Sequence, residues 1–364
     1  MALVASIVVA LAGRVTAEPQ RRPPCTLGSQ PRPTEPCLVA ELPAAAATGS
    51  GPIATSPWAD HGARPEAFGP GIGGEGAGHP AGRGRQAWSL ATLGGVYLGF
   101  STWAYFAWYR GQPDLGEFRW GGDGYFGENT YAGGSDKVGH AWANLVLARA
   151  STSLLEWGGW NRGVASAIGA GVAWGLFLIV EVKDGYHYQF SPGDLVANTA
   201  GAALSMLFVN VPRADELFDF RVHYYPSAEY LGLLRGEYHG DPQLNSLNIA
   251  EDYSGQTYFL ALHLGALDLA GREGALAEAL RYLDLGVGFR AQKYKPDSPP
   301  GSIRSQEVYL GLTVNLQHAL DRATGGARVG ALGRTRRIGH AVFEHLGVPY
   351  TILPVVHGER SPDR

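Results

Sequence analysis

Seven residues of this chain have the types and spacing that chemistry needs: Asp136, Lys137 and His140, then Glu181 and Asp184, then Asp194 and Asn198. On helices, Asp136, His140 and Asn144 recur at i, i+4 and i+8, Glu181 and Asp184 at i and i+3, and Asp194 and Asn198 at i and i+4. Each set therefore shares one face. An imidazole among carboxylates can serve as a general acid or base, with a carboxylate orienting the ring. His140, Glu181, Asp184 and Asp194 could equally offer mixed nitrogen and oxygen ligands to a divalent metal, in a catalytic rather than a structural manner, because one histidine suits structural zinc poorly. A third use is a polar lock, in which Lys137 and His140 neutralise the acids and pin the helices together. Residue types alone leave these uses open. Ser135 or Asp136 can cap a helix, and Ser191-Pro192-Gly193-Asp194 has the form of a capped start with Asp194 in the capping-box position. His140, Glu181, Asp184 and Asn198 have no such structural explanation, and carboxylates at a helix C-terminus oppose its dipole.

Four apolar segments must position these groups. Trp88 to Tyr109 has about 22 residues with hardly a charge, enough to cross a bilayer, and carries aromatics at both ends. Arg110 to Gly134, rich in Gly and aromatics, reads as a structured loop. Asp136 to Leu155 is the second helix. Gly163 to Val182 is the third, with small residues for close approach and Gly185 as its stop. The fourth runs from the Ser191 cap to Val211. If neighbours alternate in direction, the start of the second, the end of the third and the start of the fourth meet at one level, gathering all seven residues with Lys183 and His187 nearby. Past Pro212 the period becomes two: Phe218 to Tyr224, Tyr258 to Leu264, Leu283 to Tyr294 and Glu307 to His318 read as antiparallel strands. Four strands are too few for a transmembrane barrel, so their apolar face needs helices, another chain or lipid to cover it. Gly271 to Leu280 reads as helical. The fold class is thus α+β, a four-helix membrane or membrane-adjacent bundle (86–212) followed by a small antiparallel β-sheet region (213–320) and a basic tail (321–364) holding Arg328, Arg334, Arg336 and Arg337 before an apolar stretch, Val348 to Val356.

The 364 residues are 45% hydrophobic and only 17% charged, with 52 glycines, a balance that leans toward a membrane-associated or sheet-rich product. A formal charge of −4 gives no global basic field, which argues against nucleic acid as a partner. Met1 to Ala17 reads as an export signal, with the apolar run Leu3 to Leu11 and a small-residue cleavage site at Val15-Thr16-Ala17, although no Lys or Arg precedes the run. Residues 18–85 are rich in Pro, Gly, Ala and Arg without period and read as a disordered linker. Within it Cys25 and Cys37 could close a small disulfide loop in an oxidising compartment. Pro24 and Pro36 stand where a lipid-attachment signal wants a small residue.

Asp136-Lys137-x-x-His140, Glu181-x-x-Asp184-Gly185 and Ser191-x-x-Asp194-x-x-Ala197-Asn198-x-x-Gly201 together resemble the pattern of the YfiM-like family of uncharacterised periplasmic lipoproteins. The Asp-Lys-x-x-His and Asp-x-x-x-Asn-x-x-Gly elements are similar, more distantly, to those of VanZ-like membrane proteins. Asp252-Tyr253-Ser254-Gly255-Gln256-Thr257-Tyr258 resembles a segment of longer bacterial members. The resemblance implies a bacterial cell envelope location, a helical domain in or beside the membrane, contact with membrane lipid and a periplasmic C-terminal region; it implies no reaction. The expected role is an envelope protein of unassigned activity with a polar cluster between helices. The rival is a hydrolase or transferase, metal-dependent or acid/base, acting on lipid or cell-wall precursors.

Overall fold

The computed structural model describes residues 82–362 except 113–114, 123, 128, 238–245, 268–273 and 295–301. The export signal, the linker and Cys25 and Cys37 lie outside the described residues.

Helix α1 (Arg83–Ala104) continues as a π-helical turn, Tyr105–Tyr109, and leads through a loop to α2 (Ser135–Gly158). Glycines in the left-handed region bracket α2, Gly134 at φ 88° and Gly159 at φ 89°, a conformation that a side chain would resist. The start therefore belongs to Gly134, and neither Ser135 nor Asp136 caps it. The Ser135 hydroxyl instead accepts from the Ala291 N–H at 3.2 Å, and the Asp136 carboxylate is free for other partners. Helix α3 (Arg162–His187) starts with Asn161 accepting from the Gly163 N–H at 3.0 Å. It passes through Gly185, so that glycine is not a stop; the Phe118 ring fills the space where its side chain would be. Helix α4 (Pro192–Asn210) begins as its sequence foretells, with the Ser191 hydroxyl accepting from the Asp194 N–H at 3.2 Å.

Small residues bring these helices together. A Cβ at Gly169 would strike Thr152 and Ala148 of α2, and one at Gly201 the Ala141 carbonyl. Phe100 and Ala104 pack with Leu147, Ala170, Ala173 and Phe177, so α1, α2 and α3 share one apolar cluster. Among the described residues one helix, α3, is long and apolar enough to cross a membrane. The first segment, expected as a span, does not reach that level.

After α5 (Pro212–Leu217) come β1 (Phe218–Tyr224), α6 (Ala228–Leu234), β2 (Gln256–His263), α7 (Ala275–Arg281), β3 (Leu283–Gln292) and β4 (Ser305–Val314). The chain then forms α8 (Leu316–Ala323), α9 (Gly330–Phe343), β5 (Leu346–Gly347) and β6 (Leu353–Arg360). The sheet has six strands in the order β5-β1-β2-β3-β4-β6, antiparallel except for β1 with β5. Two strands more than the alternating pattern predicts thus come from the stretch read as a basic tail, which also supplies α9. The fourth strand ends at Val314 and not at His318, because the Asn315 side chain accepts from the His318 N–H at 2.8 Å and starts α8. Trp142, Leu145 and Val146 of α2 pack against Phe220, Val222 and Tyr258 and hold the helices to one part of the sheet.

The sheet is curled. Only the segment Val348 to Ile352 joins β5 at one edge to β6 at the other. The six steps from Gly347 to Leu353 reach at most about 21 Å, whereas the five interstrand gaps of a flat sheet span about 24 Å. This connection crosses the concave face, where the Val348 carbonyl meets His223 Nδ1 at 2.8 Å and Ile352 packs on Phe259, Ala261 and Tyr309.

Candidate functional site

The first turn of α2, the last turns of α3 and the first turns of α4 lie at one level. Lys137 Nζ is 2.9 Å from Asp194 Oδ1 and 3.5 Å from Asp136 Oδ2, so one ammonium bridges aspartates of two helices. His140 sits one turn deeper. Its Nε2 is 3.4 Å from Asp136 Oδ1, and its Nδ1 is 3.1 Å from Asn198 Oδ1 and 3.4 Å from Glu181 Oε1. Asn198 is held in turn, since its Oδ1 also accepts from Asn144 Nδ2 at 3.1 Å. Both imidazole nitrogens therefore face acceptors, the arrangement of a doubly protonated ring. The side chains of Asp136, Lys137, Glu181 and Asp194 are 1–9% exposed, against 18% for His140, the least buried of these five. Phe177 stands edge-on to its ring at 5.5 Å.

Asp184, expected beside Glu181, is directed elsewhere. Its Oδ1 accepts from the Tyr109 hydroxyl at 2.8 Å. Lys183 Nζ lies 3.9 Å from the centre of the Tyr109 ring, and the His187 ring lies 5.3 Å from it. Lys183 and His187 thus gather around Tyr109, at the margin of the cluster. Three tyrosines, none singled out by spacing, each donate to an acid: Tyr109 to Asp184, Tyr253 to Asp136 Oδ1 at 2.6 Å, and Tyr131 to Glu251 at 3.2 Å. Tyr253 falls in the Asp252–Tyr258 segment that resembles longer family members, the one signal that pointed to it. Tyr109 lies far from the motifs in sequence; Tyr131 and Glu251 stand just before the Asp136 motif and the Asp252–Tyr258 segment, with no spacing that marks them.

The electrostatics are uneven. Burial works against the Asp136 carboxylate, yet His140, Lys137 and the Tyr253 hydroxyl outweigh it and hold Asp136 well below the usual carboxylate range. Burial likewise works against the His140 charge, but Asp136, Asp194 and Glu181 prevail and keep the imidazolium well above its ordinary value. For the other acids burial wins: Glu181 is raised to about 8, Asp184 to about 7 and Asp194 to about 6, each with further repulsion from neighbouring carboxylates. Burial, with Asp136 and Asp184 nearby, also raises Glu251 to about 8. Too few cations are present to keep these groups ionised together, so burial and mutual repulsion shift the acids toward their protonated forms.

Among the described residues, one oxygen each from Asp136 and Asp194 and one nitrogen of His140 lie within 4.8 Å of one another, close enough to converge on an ion. Lys137 already bridges the two aspartates, and both ring nitrogens of His140 face acceptors. A metal would require a proton to leave His140 and the ammonium to move. Glu181 and Asp184, offered by the sequence as further ligands, are outside that trio.

Residues 122–210 match the model of a family described as predicted periplasmic lipoprotein (DUF2279). No curated protein and no solved structure matches the chain. The matched stretch covers roughly a quarter of the sequence and holds all seven motif residues, from the loop before α2 to the last residue of α4. Tyr109, Glu251 and Tyr253 lie outside it. The cluster as folded is thus completed by parts of the chain beyond the family match.

Proposed function

We propose that this chain is a membrane-associated protein of the bacterial cell envelope, its sheet on the periplasmic side, whose helices carry a buried acid–base centre. The family match and the closer resemblance to YfiM-like and, more distantly, VanZ-like proteins support the location. The observation that carries the centre is the surplus of acid: Asp136, Glu181, Asp184 and Asp194 share two cationic partners, Lys137 and His140. A lock needs no such surplus. In this reading His140, less buried than Asp136, Lys137, Glu181 and Asp194, is the proton donor. Asp136 and Asn198 orient it, and Glu181 holds an exchangeable proton beside it. A metal-dependent hydrolase or transferase acting on lipid or cell-wall precursors is the second reading, favoured by the convergence of Asp136, His140 and Asp194.

The test is to introduce His140→Gln and Glu181→Gln into a host lacking its own copy and to compare envelope integrity with the melting of the purified proteins. Loss of the phenotype in variants that still fold and melt cooperatively supports the centre; unfolding of both variants supports a lock. Elemental analysis of the purified wild type separates the second reading, since stoichiometric zinc, manganese or magnesium lost in His140→Gln is its signature.

A further inference from the structure

The sheet is inside out. In β2, β3 and β4 the residues turned to the concave face are Phe259, Ala261 and His263, paired across to Gly288, Gly286 and Asp284, and these to Tyr309, Gly311 and Thr313. This face is covered: Phe259, Ala261 and Asp284 are wholly buried, and His263, Tyr309 and Thr313 are buried too. It carries the charges, with Asp219 and Arg221 of β1 joining it. The convex face is apolar. Leu260 pairs with Val287, Val287 with Leu310 and Leu310 with Val356, one row across four strands. All four stay exposed, as do Val308, Val314 and Leu353 on the same face. Helix α2 covers the part of this face nearest β1, where Phe220, Val222 and Tyr258 lie, and its first residue with the loop before it covers the end of β3 at Phe289 and Ala291. Along β3 and β4 the convex positions include no charged side chain, and the one amide, Gln306, is taken up by the Phe126 and Gly133 carbonyls at 3.1 and 2.7 Å; in β6 the face ends at Arg360, opposite Gln306.

A sheet in water turns its apolar side inward and its polar side out. Charged within and uncharged without is the pattern of strands whose outer solvent is hydrocarbon. From this reversal the geometry points to the convex face of β2-β3-β4-β6, centred on Leu260, Val287, Leu310 and Val356, as a surface that rests against the acyl chains of a lipid bilayer. A second uncovered apolar surface, the stripe Val164, Val172, Ile179 and Val182 along α3, fits the same solvent. The inference stands apart from the acid–base centre, which uses none of these residues.

The experiment places a bimane label at single cysteines, Val287→Cys and Leu310→Cys, in the full chain carrying Cys25→Ser and Cys37→Ser, with Arg235→Cys as the exposed control. The protein is added to vesicles of phosphatidylethanolamine and phosphatidylglycerol, with and without brominated acyl chains. Brominated lipid is expected to quench the labels at 287 and 310 about threefold or more above the label at 235, since apolar residues that dock on a membrane enter the acyl boundary. Equal quenching at the three positions overturns the inference. So does concentration-dependent shielding of 287 and 310 in vesicle-free solution without added quenching by lipid, which would assign the face to a second copy. Both labelled side chains are exposed in the free protein, so neither label needs the core to move.

Discussion

The charge cluster among the helices and the one inside the sheet are both buried, and they differ in balance. In the sheet, Arg221 Nη1 donates to Asp284 Oδ2 at 2.7 Å while its other nitrogens reach Asp219. His263 sits between the same two acids, 2.7 Å from Asp284 and 3.2 Å from Asp219, and Asn315 Nδ2 adds a bond to Asp284 at 2.9 Å. Two cations meet two anions. Burial opposes the charge on His263, but the paired carboxylates push it up to about 10, and Asp219 is held below its usual range against the same burial. On the helices themselves the count is two cations, Lys137 and His140, to four acids, and three of those acids, like Glu251 beside them, are raised toward neutrality. Equal burial with unequal charge distinguishes a closed lock from a group of residues poised to exchange protons.

The largest effect is expected inside the sheet. Arg221→Met leaves two buried carboxylates with one cation and should cost about 3–5 kcal/mol in denaturant unfolding, the usual result of removing one partner from a buried pair. His140→Gln should cost less, about 1–2 kcal/mol, because the acids around it can take up protons when its charge goes. An equal loss in both variants would break the comparison and make the helical cluster a lock as well.

A smaller, pH-dependent difference should follow from Glu181. Its pKa rises from 4.5 to about 8 on folding, so between those values the native state binds the extra proton and stability falls as pH rises. Glu181→Gln removes that dependence: thermal melts should coincide with wild type near pH 5 and lie above it at pH 8. For His263 the folded pKa is about 10 against 6.5. Its contribution is complete below pH 6.5 and is lost as pH climbs through about 10, a later window. The smallest effect concerns metal. Millimolar magnesium, manganese or zinc should leave the melting of wild type unmoved, because Lys137 bridges Asp136 and Asp194, and should raise that of Lys137→Met, in which the trio with His140 is open.

Much of the helical cluster was legible in the sequence because helical periodicity is local. Spacing puts Asp136 and His140 on one face, and the Ser191 cap with Pro192 behind it fixes where α4 starts and hence where Asp194 and Asn198 stand. Asp184 went astray for a nearby reason: i and i+3 on α3 are adjacent, but a neighbour from α1, Tyr109, draws the second carboxylate away. The alternating pattern shows four of the six strands of the sheet. Leu353 to Arg360 has a proline and a glycine that interrupt the alternation, and Leu346–Gly347 is too short to show any.

The sequence by itself determined the mixed class of the fold, the helix and strand periods, the alternation of apolar and polar residues in β3 and β4, and the residues around which the cluster forms, since each of these is set by neighbours within a few positions. Only the tertiary structure decided what those features amount to. Tyr253, Glu251 and Tyr109 reach the cluster through close packing of distant segments, and the balance of charge that separates site from lock depends on which groups are buried together. The curl that turns Arg221 inward and Val287 outward likewise arises when a short connection must join two edges of one sheet. Charge interactions and burial depend on distance in space, and a local pattern carries no record of it.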